Sequence, residues 1–374
     1  MLDGVQLSLL IGPAQLPVPA PLPLIEALQR VEVTSSRERS GFQLTFSLGK
    51  TSPLQTALVA GLLDPITTRV VVTVVFRGMP HVLIDGIVTR HELSPSNEAG
   101  KSTLTLTGDD LHVLMDILQV KAMYPAVPIA AQVMAIMAKY AMFGVVPMAL
   151  PVPLPGLKRP TDRTDTQTGT DYQYVKGLAT QCGYIFRLEP GPLPGQSTAY
   201  FGPDLPLPIP QRSLAVNCDQ DSNVESFSAS LDGLAKRVMV MFVLDPVTRK
   251  IPIPVPVPNI SPLHPPLGAR LTPPSKLEFS EETSALTLDE ATNRAFGFML
   301  QGADAVSANV SVDTARYGQI LRPRTVVGVR GAGFAYDGMY YVNSVTHSIK
   351  RGEYKQSVQL SRDGVVTQQP AVLP

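Results

Sequence analysis

The chain has 374 residues, with 31 Lys and Arg against 31 Asp and Glu. The resulting zero net charge gives no general attraction to nucleic acid or acidic membranes, so no stable nucleic-acid binding is expected. The length supports two or three domains, each with its own core, and excludes a single small one. Cys182 and Cys218 are the two cysteines and have no CxxC partner. They encode neither a disulfide framework nor a thiolate zinc site, and read as buried thiols in a reducing compartment.

The N-terminal stretch MLDGVQLSLLIGPAQLPVPAPLPL is apolar, but it carries Asp3, lacks a basic region and is broken by proline, so it is read as an extension and not a signal peptide. From Val31 to Thr107, short apolar runs alternate with turn residues. VEV, FQLTFSL, RVVVTVVF, HVLIDGIVTRHEL and STLTLT predict strands in an antiparallel meander, with RGMP at Arg77–Pro80 as a hairpin turn. Leu104 and Leu106 alternate with Thr103, Thr105 and Thr107, which gives one apolar and one polar face. GDDLHVLMDIL then places Leu111, Leu114, Met115 and Leu118 at helical spacing after Asp109 and Asp110.

The middle of the chain reads as a small α+β unit. The apolar run Ile129–Phe143 falls short of the roughly 20 residues that span a bilayer and predicts a buried or subunit-contacting helix. Lys158–Asp171 predicts a loop. Thr170 is a natural N-cap for a helix whose buried stripe is Tyr172, Val175, Leu178, Ala179 and Cys182. Strands YIFRL and TAYFG follow.

A second strand-rich region begins near Arg212 with NVESFSASL and KRVMVMFVL. It is interrupted by a proline-rich arm, Asp245–Lys276, in which IPIPVPVP predicts an extended polyproline II segment. The 36 prolines of the chain cluster in such runs, a pattern that favours a scaffold with long extended connections. Thr287 and Glu290 have capping-box spacing before a helix. VSANVSV, YGQILRPRTVVGVRG and the hairpin GMYYVNSVTHSIKRGEYKQSVQL complete the set. Two barrel-like strand sets thus bracket one α+β module.

No catalytic constellation stands out. His81, His91, His112, His264 and His347 occupy five separate contexts without HxH or HExxH spacing. Gly328, Gly331 and Gly333 precede a strand instead of a helix, so they predict a tight turn and not a dinucleotide loop. Asp109 with Asp110 and Glu281 with Glu282 are explained by helix capping or solvation. No cofactor or metal is expected.

TDYQYVKGLATQCGYIFRL with AYFGP (Thr170–Leu188, Ala199–Pro203), SNVESFSASLD (Ser222–Asp232) and YDGMYYVNSVTHSIKRGEYKQSVQLSRDG (Tyr336–Gly364) resemble, in order and spacing, the baseplate hub family of contractile injection machines. That family includes the phage late control protein D and the N-terminal part of valine-glycine repeat spike proteins. SGFQLTFSLGK, VLIDGIVTRHELSPSN and STLTLTGDDLHVLMD look like the first barrel of the hubs in phage-like extracellular injection systems.

The resemblance implies a mainly β chain with α+β insertions, in which two tube-protein-like antiparallel β-barrels bracket a small α+β module. The divisions it implies are 1–118 for the first barrel with its extension, 119–205 for the module, and 206–244 with 305–366 for the second barrel. The arm and helix at 245–304 are inserted in that barrel, and 367–374 is a tail. It further implies a non-enzymatic homotrimer joining an inner tube or tube-initiator protein to a separate trimeric spike, among other baseplate components. Assembly would take place in the bacterial cytoplasm, followed by incorporation into a phage tail or phage-tail-like particle. The interface candidates are Tyr340, Tyr341, His347 and Tyr354 on the hairpin, and Ile251, Pro252, Ile253 and Pro254 in the arm. A cell-wall hydrolase and another β-rich structural protein, such as an adhesin or capsid component, are the alternatives.

Overall fold

The computed structural model describes residues 4–49, 52–98, 101–152, 165–205, 210–244, 252–260, 266–279 and 288–367. These are mainly β, with mostly antiparallel pairing, and the largest sheet has 13 strands. All five strands expected in the first region form: Leu28–Ser36, Ser40–Ser47, Thr68–Phe76, Met79–Ser94 and Thr103–Asp110. Arg77 and Gly78 both take positive φ, 51° and 81°, the two-residue turn whose twist matches that of paired strands.

The order of the first set is not a simple meander. Ser40–Ser47 pairs with Thr103–Asp110, which pairs with Met79–Ser94, which pairs with Thr68–Phe76. The helix Pro53–Val59 carries the chain across, so the later strands fill in backwards. The N-terminal stretch also differs from expectation, because Val5–Pro13 is a strand added to Thr68–Phe76. Val5, Leu9 and Ile11 are buried at even spacing, and within the strand proline stands only at its last position.

The second set pairs Ser226–Leu231, Val306–Asp313, Glu353–Arg362 and Gly338–Lys350 in that order, all antiparallel. Val326–Arg330 and Pro210–Ala215 complete it. Each set has its own core. Val31, Phe42, Leu44, Val72 and Leu104 belong to the first, and Val310, Val312, Tyr340, Val342 and Leu360 to the second.

The two sets are one continuous sheet, because Gly338–Lys350 pairs with Leu28–Ser36, placing Val345 opposite Ser35, His347 opposite Val33 and Ile349 opposite Val31. The main pairing path is open, from Ser226–Leu231 at one end to Val18–Pro19 at the other.

The α+β module has a third core. Its helix Asp171–Cys182 starts as expected: Thr170 Oγ1 accepts from the Gln173 amide at 3.2 Å, and the Gln173 side chain returns to the Thr170 amide. Tyr172, Val175, Leu178, Ala179 and Cys182 are all buried. Three local expectations change. Asp165–Thr170 is a strand paired with Gln119–Tyr124 and not part of a loop. Asp109 and Asp110 end a strand, and only His112–Met115 is helical after them. Cys218 is half-buried, unlike Cys182.

The helix Leu288–Gln301 packs Phe298 on Met241 and Val257 of a small separate sheet. Thr287, Glu281 and Glu282 lie outside the described residues. Gly183, the left-handed cap of Asp171–Cys182 at φ 67°, lies so close to Gly297 that a Cβ on it would sit 1.9 Å from the Gly297 Cα. Gly183→Ala must strain its backbone and push two helices apart. A loss of more than about 2 kcal/mol is expected in urea unfolding. A loss below about 0.5 kcal/mol would contradict this packing account.

Candidate functional site

The hairpin residues singled out from the sequence turn inward. Tyr340 and Tyr354 are fully enclosed, and His347 and Tyr341 are buried. Tyr340 donates to the Tyr336 carbonyl at 2.6 Å, with the Arg362 guanidinium 4.5 Å above its ring. Burial pushes the Tyr340 and Tyr341 phenols up to about 12. His347 Nδ1 lies 3.0 Å from the Tyr354 hydroxyl and 3.2 Å from Gln356 Nε2. Burial, with His81 second, holds the His347 imidazole down at about 3. Of the two roles read for these four residues, interior packing is the one their burial serves.

His91 is exposed and His264 lies outside the described residues. His112 resembles a catalytic dyad member, since its Nδ1 lies 2.6 Å from Asp110 Oδ1. Its Nε2, however, accepts from Arg39 at 2.6 Å, so neither ring nitrogen is free to act as a base. Among the described residues no group of three or more His, Cys, Asp or Glu is placed to hold a metal ion. No described helix is long and apolar enough to cross a membrane.

The arm departs from the polyproline reading. Pro252–Pro258 is a β-strand paired antiparallel with Arg237–Leu244, on whose other side runs Lys276–Phe279. The alternation explains this. The Asn259 amide donates to the Arg237 carbonyl at 3.0 Å, so odd-numbered amides point into the sheet, and the even positions, all proline, point outward where no donor is needed. The outer edge is therefore stripped of N–H groups and cannot template another strand.

The proline-bearing face is apolar throughout. Val240 lies beside Pro256 and Phe279, and Phe242 beside Pro254, with the Phe242 and Phe279 rings stacked at 6.2 Å. Leu277 and Phe279 on this face are 66% and 65% exposed. Ile253 shares the opposite face with Val255, and both are exposed. Ile251 lies outside the described residues. Replacing Pro254 and Pro256 together by Thr restores two outward amides. It is expected to produce concentration-dependent growth of scattered light, and unchanged scattering would contradict the edge account.

A charged seam that the sequence did not reveal joins both strand sets to the module. Arg37, from the turn after Leu28–Ser36, donates through Nε to Asp204 at 2.7 Å. Arg187 on the strand Ile185–Pro190 pairs with Glu189 and lies 4.2 Å from the Tyr200 ring. Arg324, preceding Val326–Arg330, pairs with the same Glu189. Its backbone is held at φ 63°, unusual for a non-glycine residue. A second tie is fully buried: Arg69 donates twice to Asp85 at 2.6 Å and also to the carbonyls of Ala14 and Gly195, while Ser197 donates to Asp85 at 3.1 Å. These bonds fix the module against the first strand set.

Comparison with protein-family models and with curated proteins finds no match. Comparison with solved structures does. The chain is similar to the tail protein from Neisseria meningitidis MC58, with a TM-score of 0.59 and 16% identity over 97% of this chain and 98% of that one. It is also similar to the 43 kDa tail protein of prophage MuSo2 from Shewanella oneidensis, with a TM-score of 0.61 and 13% identity over 96% and 100%. A third likeness is to a chain of the Francisella PdpA–VgrG complex, with a TM-score of 0.55 and 10% identity over 100% of this chain and 55% of that one. The chain has the fold of phage tail proteins.

Proposed function

We propose that the chain is the hub subunit of the baseplate of a contractile tail or a related injection machine, and that it assembles as a homotrimer. Each strand set serves as a tube-protein-like barrel, with the divisions given by the family resemblance. Three subunits then present six such units in pseudo-six-fold array to a hexameric inner tube, and three-fold symmetry to a trimeric spike. The carrying observation is that two strand sets, each around its own core, lie side by side in one sheet within a tail-protein fold.

The role is architectural, and no reaction is assigned to any residue. The buried tie at Arg69, with the pairing of Arg37 to Asp204 and of Arg324 to Glu189, suits a part that must transmit load between its units without shifting register. Subunit or partner contact is assigned to the exposed apolar arm, including Ile253 and Pro254, and not to the four enclosed hairpin side chains. Assembly in the bacterial cytoplasm followed by incorporation into a tail-like particle fits this role. Averaged end-on images of the purified protein are expected to show six lobes around a channel. Particles with only two lobes would contradict the reading.

A further inference from the structure

A cavity of about 420 Å³ opens where Met79–Ser94, Ile185–Pro190 and residues 320–324 meet. Its wall includes His81, Arg187, Glu189, Arg322, Arg324 and His347. That size is within the range of small-molecule sites.

The wall carries more positive charge than its carboxylates balance. Arg187 and Arg324 pair with the same Glu189, Asp204 lies 4.0 Å from Arg187, and Arg322 has no carboxylate partner among the described ion pairs. Glu38, also on the wall, is held by Lys176 at 3.3 Å, and nearby Asp204 is held by Arg37. Arg322 donates to His81 Nδ1 at 2.6 Å, so His81 stands as a neutral acceptor and supplies no negative charge. Two guanidinium charges are thus left over.

Two guanidinium nitrogens of these arginines are also unpaired, both enclosed with almost no accessible surface of their own. Arg187 has a side chain only 7% exposed, and its buried Nη1 has no hydrogen-bond partner, with Asp204 Oδ1 at 4.0 Å. Arg324 Nε is also buried without a partner, on a residue whose left-handed backbone costs about 1–2 kcal/mol. Buried unpaired donors on charged groups are costly, and strained backbone concentrates at binding sites.

We propose that this cavity binds a small dianionic oxyanion, a phosphate or the phosphomonoester of a small organic group, through Arg187, Arg322 and Arg324. A dianion neutralises both surplus charges, whereas chloride or a monocarboxylate leaves one. Planar guanidinium forks are well matched to phosphate oxygens. The volume beyond a phosphate group leaves room for the organic part of an ester. This site is independent of the hub reading and holds whether or not the protein is a trimer.

The test follows the thermal midpoint of the full chain in inorganic phosphate, glycerol 3-phosphate and chloride at matched ionic strength. Both phosphates are expected to raise the midpoint saturably and chloride is not. A tighter apparent affinity for the ester would identify an organic ligand, and equal affinity the free ion. Arg322→Gln removes an exposed side chain and should fold normally, yet it is expected to weaken the apparent affinity about tenfold or more. Arg187→Gln should weaken it further, and if that variant does not fold, Arg322→Gln decides alone. Arg30→Gln, at an exposed pair with Glu32, is expected to leave binding unchanged. A midpoint that follows ionic strength alone, or an Arg322→Gln variant that responds like the parent, would overturn the proposal.

Discussion

Arg69→Ala is expected to destabilise the protein by about 3–5 kcal/mol, because it strands the Asp85 carboxylate inside the molecule. The two side chains are 1% and 0% exposed, and besides Arg69 the described donors to Asp85 include only the Ser197 hydroxyl. The loss should appear in urea unfolding as a lower midpoint at nearly constant slope. Replacing both partners, Arg69→Met with Asp85→Leu, is expected to recover much of the loss, since a buried pair exchanged for apolar groups of similar volume is often near neutral. Equal stability of Arg69→Ala and the parent would show that the pair is not buried in solution. A double variant as unstable as the single would show that the carbonyl contacts of Arg69 matter more than its charge pairing.

Acidification provides the second large effect, through His347. Its imidazole is held at about 3 in the fold against 6.5 when unperturbed, so between those values the unfolded chain binds a proton that the folded chain excludes. Stability from this residue is complete above pH 6.5, falls as pH drops, and is fully lost near pH 3. The slope approaches about 1.4 kcal/mol per pH unit, so lowering pH from 6.5 to 4.5 is expected to cost about 2 kcal/mol. His81 is also held low, by burial and then Arg322, and adds in the same direction. His347→Gln should remove most of the slope while leaving the hairpin paired. Identical pH dependence in the variant and the parent would mean that His347 is solvated.

Much of the fold was legible because its signals are local. The capping box at Thr170 and Gln173, the helical stripe from Tyr172 to Cys182, and the alternation in Val306–Asp313 each lie within a dozen residues. The join of Leu28–Ser36 to Gly338–Lys350 was not, because its partners are about three hundred positions apart and neither strand's pattern names its neighbour. The proline arm misled for a different reason. Alternating proline is compatible with polyproline II and equally with an edge strand, and only the register against Arg237–Leu244 separates the two.

The candidate site was less legible than the fold. Tyr340, Tyr341, His347 and Tyr354 stood out because aromatic residues and histidine are rare in this chain, yet rarity reflects packing here. Arg37, Arg187 and Arg324 are ordinary in sequence, and the fold alone brings them to one seam. The exposed face of Leu277 and Phe279 could have been suspected from KLEF, whose apolar pair alternates with charge, but only the sheet shows that nothing in the described chain covers it.

The central claim, a trimeric hub, is tested most directly by light scattering on the protein as it elutes from a size-exclusion column. The account predicts a single species of three times the 40.2 kDa chain mass, stable on dilution. A species that stays at the mass of one chain at every concentration would contradict it.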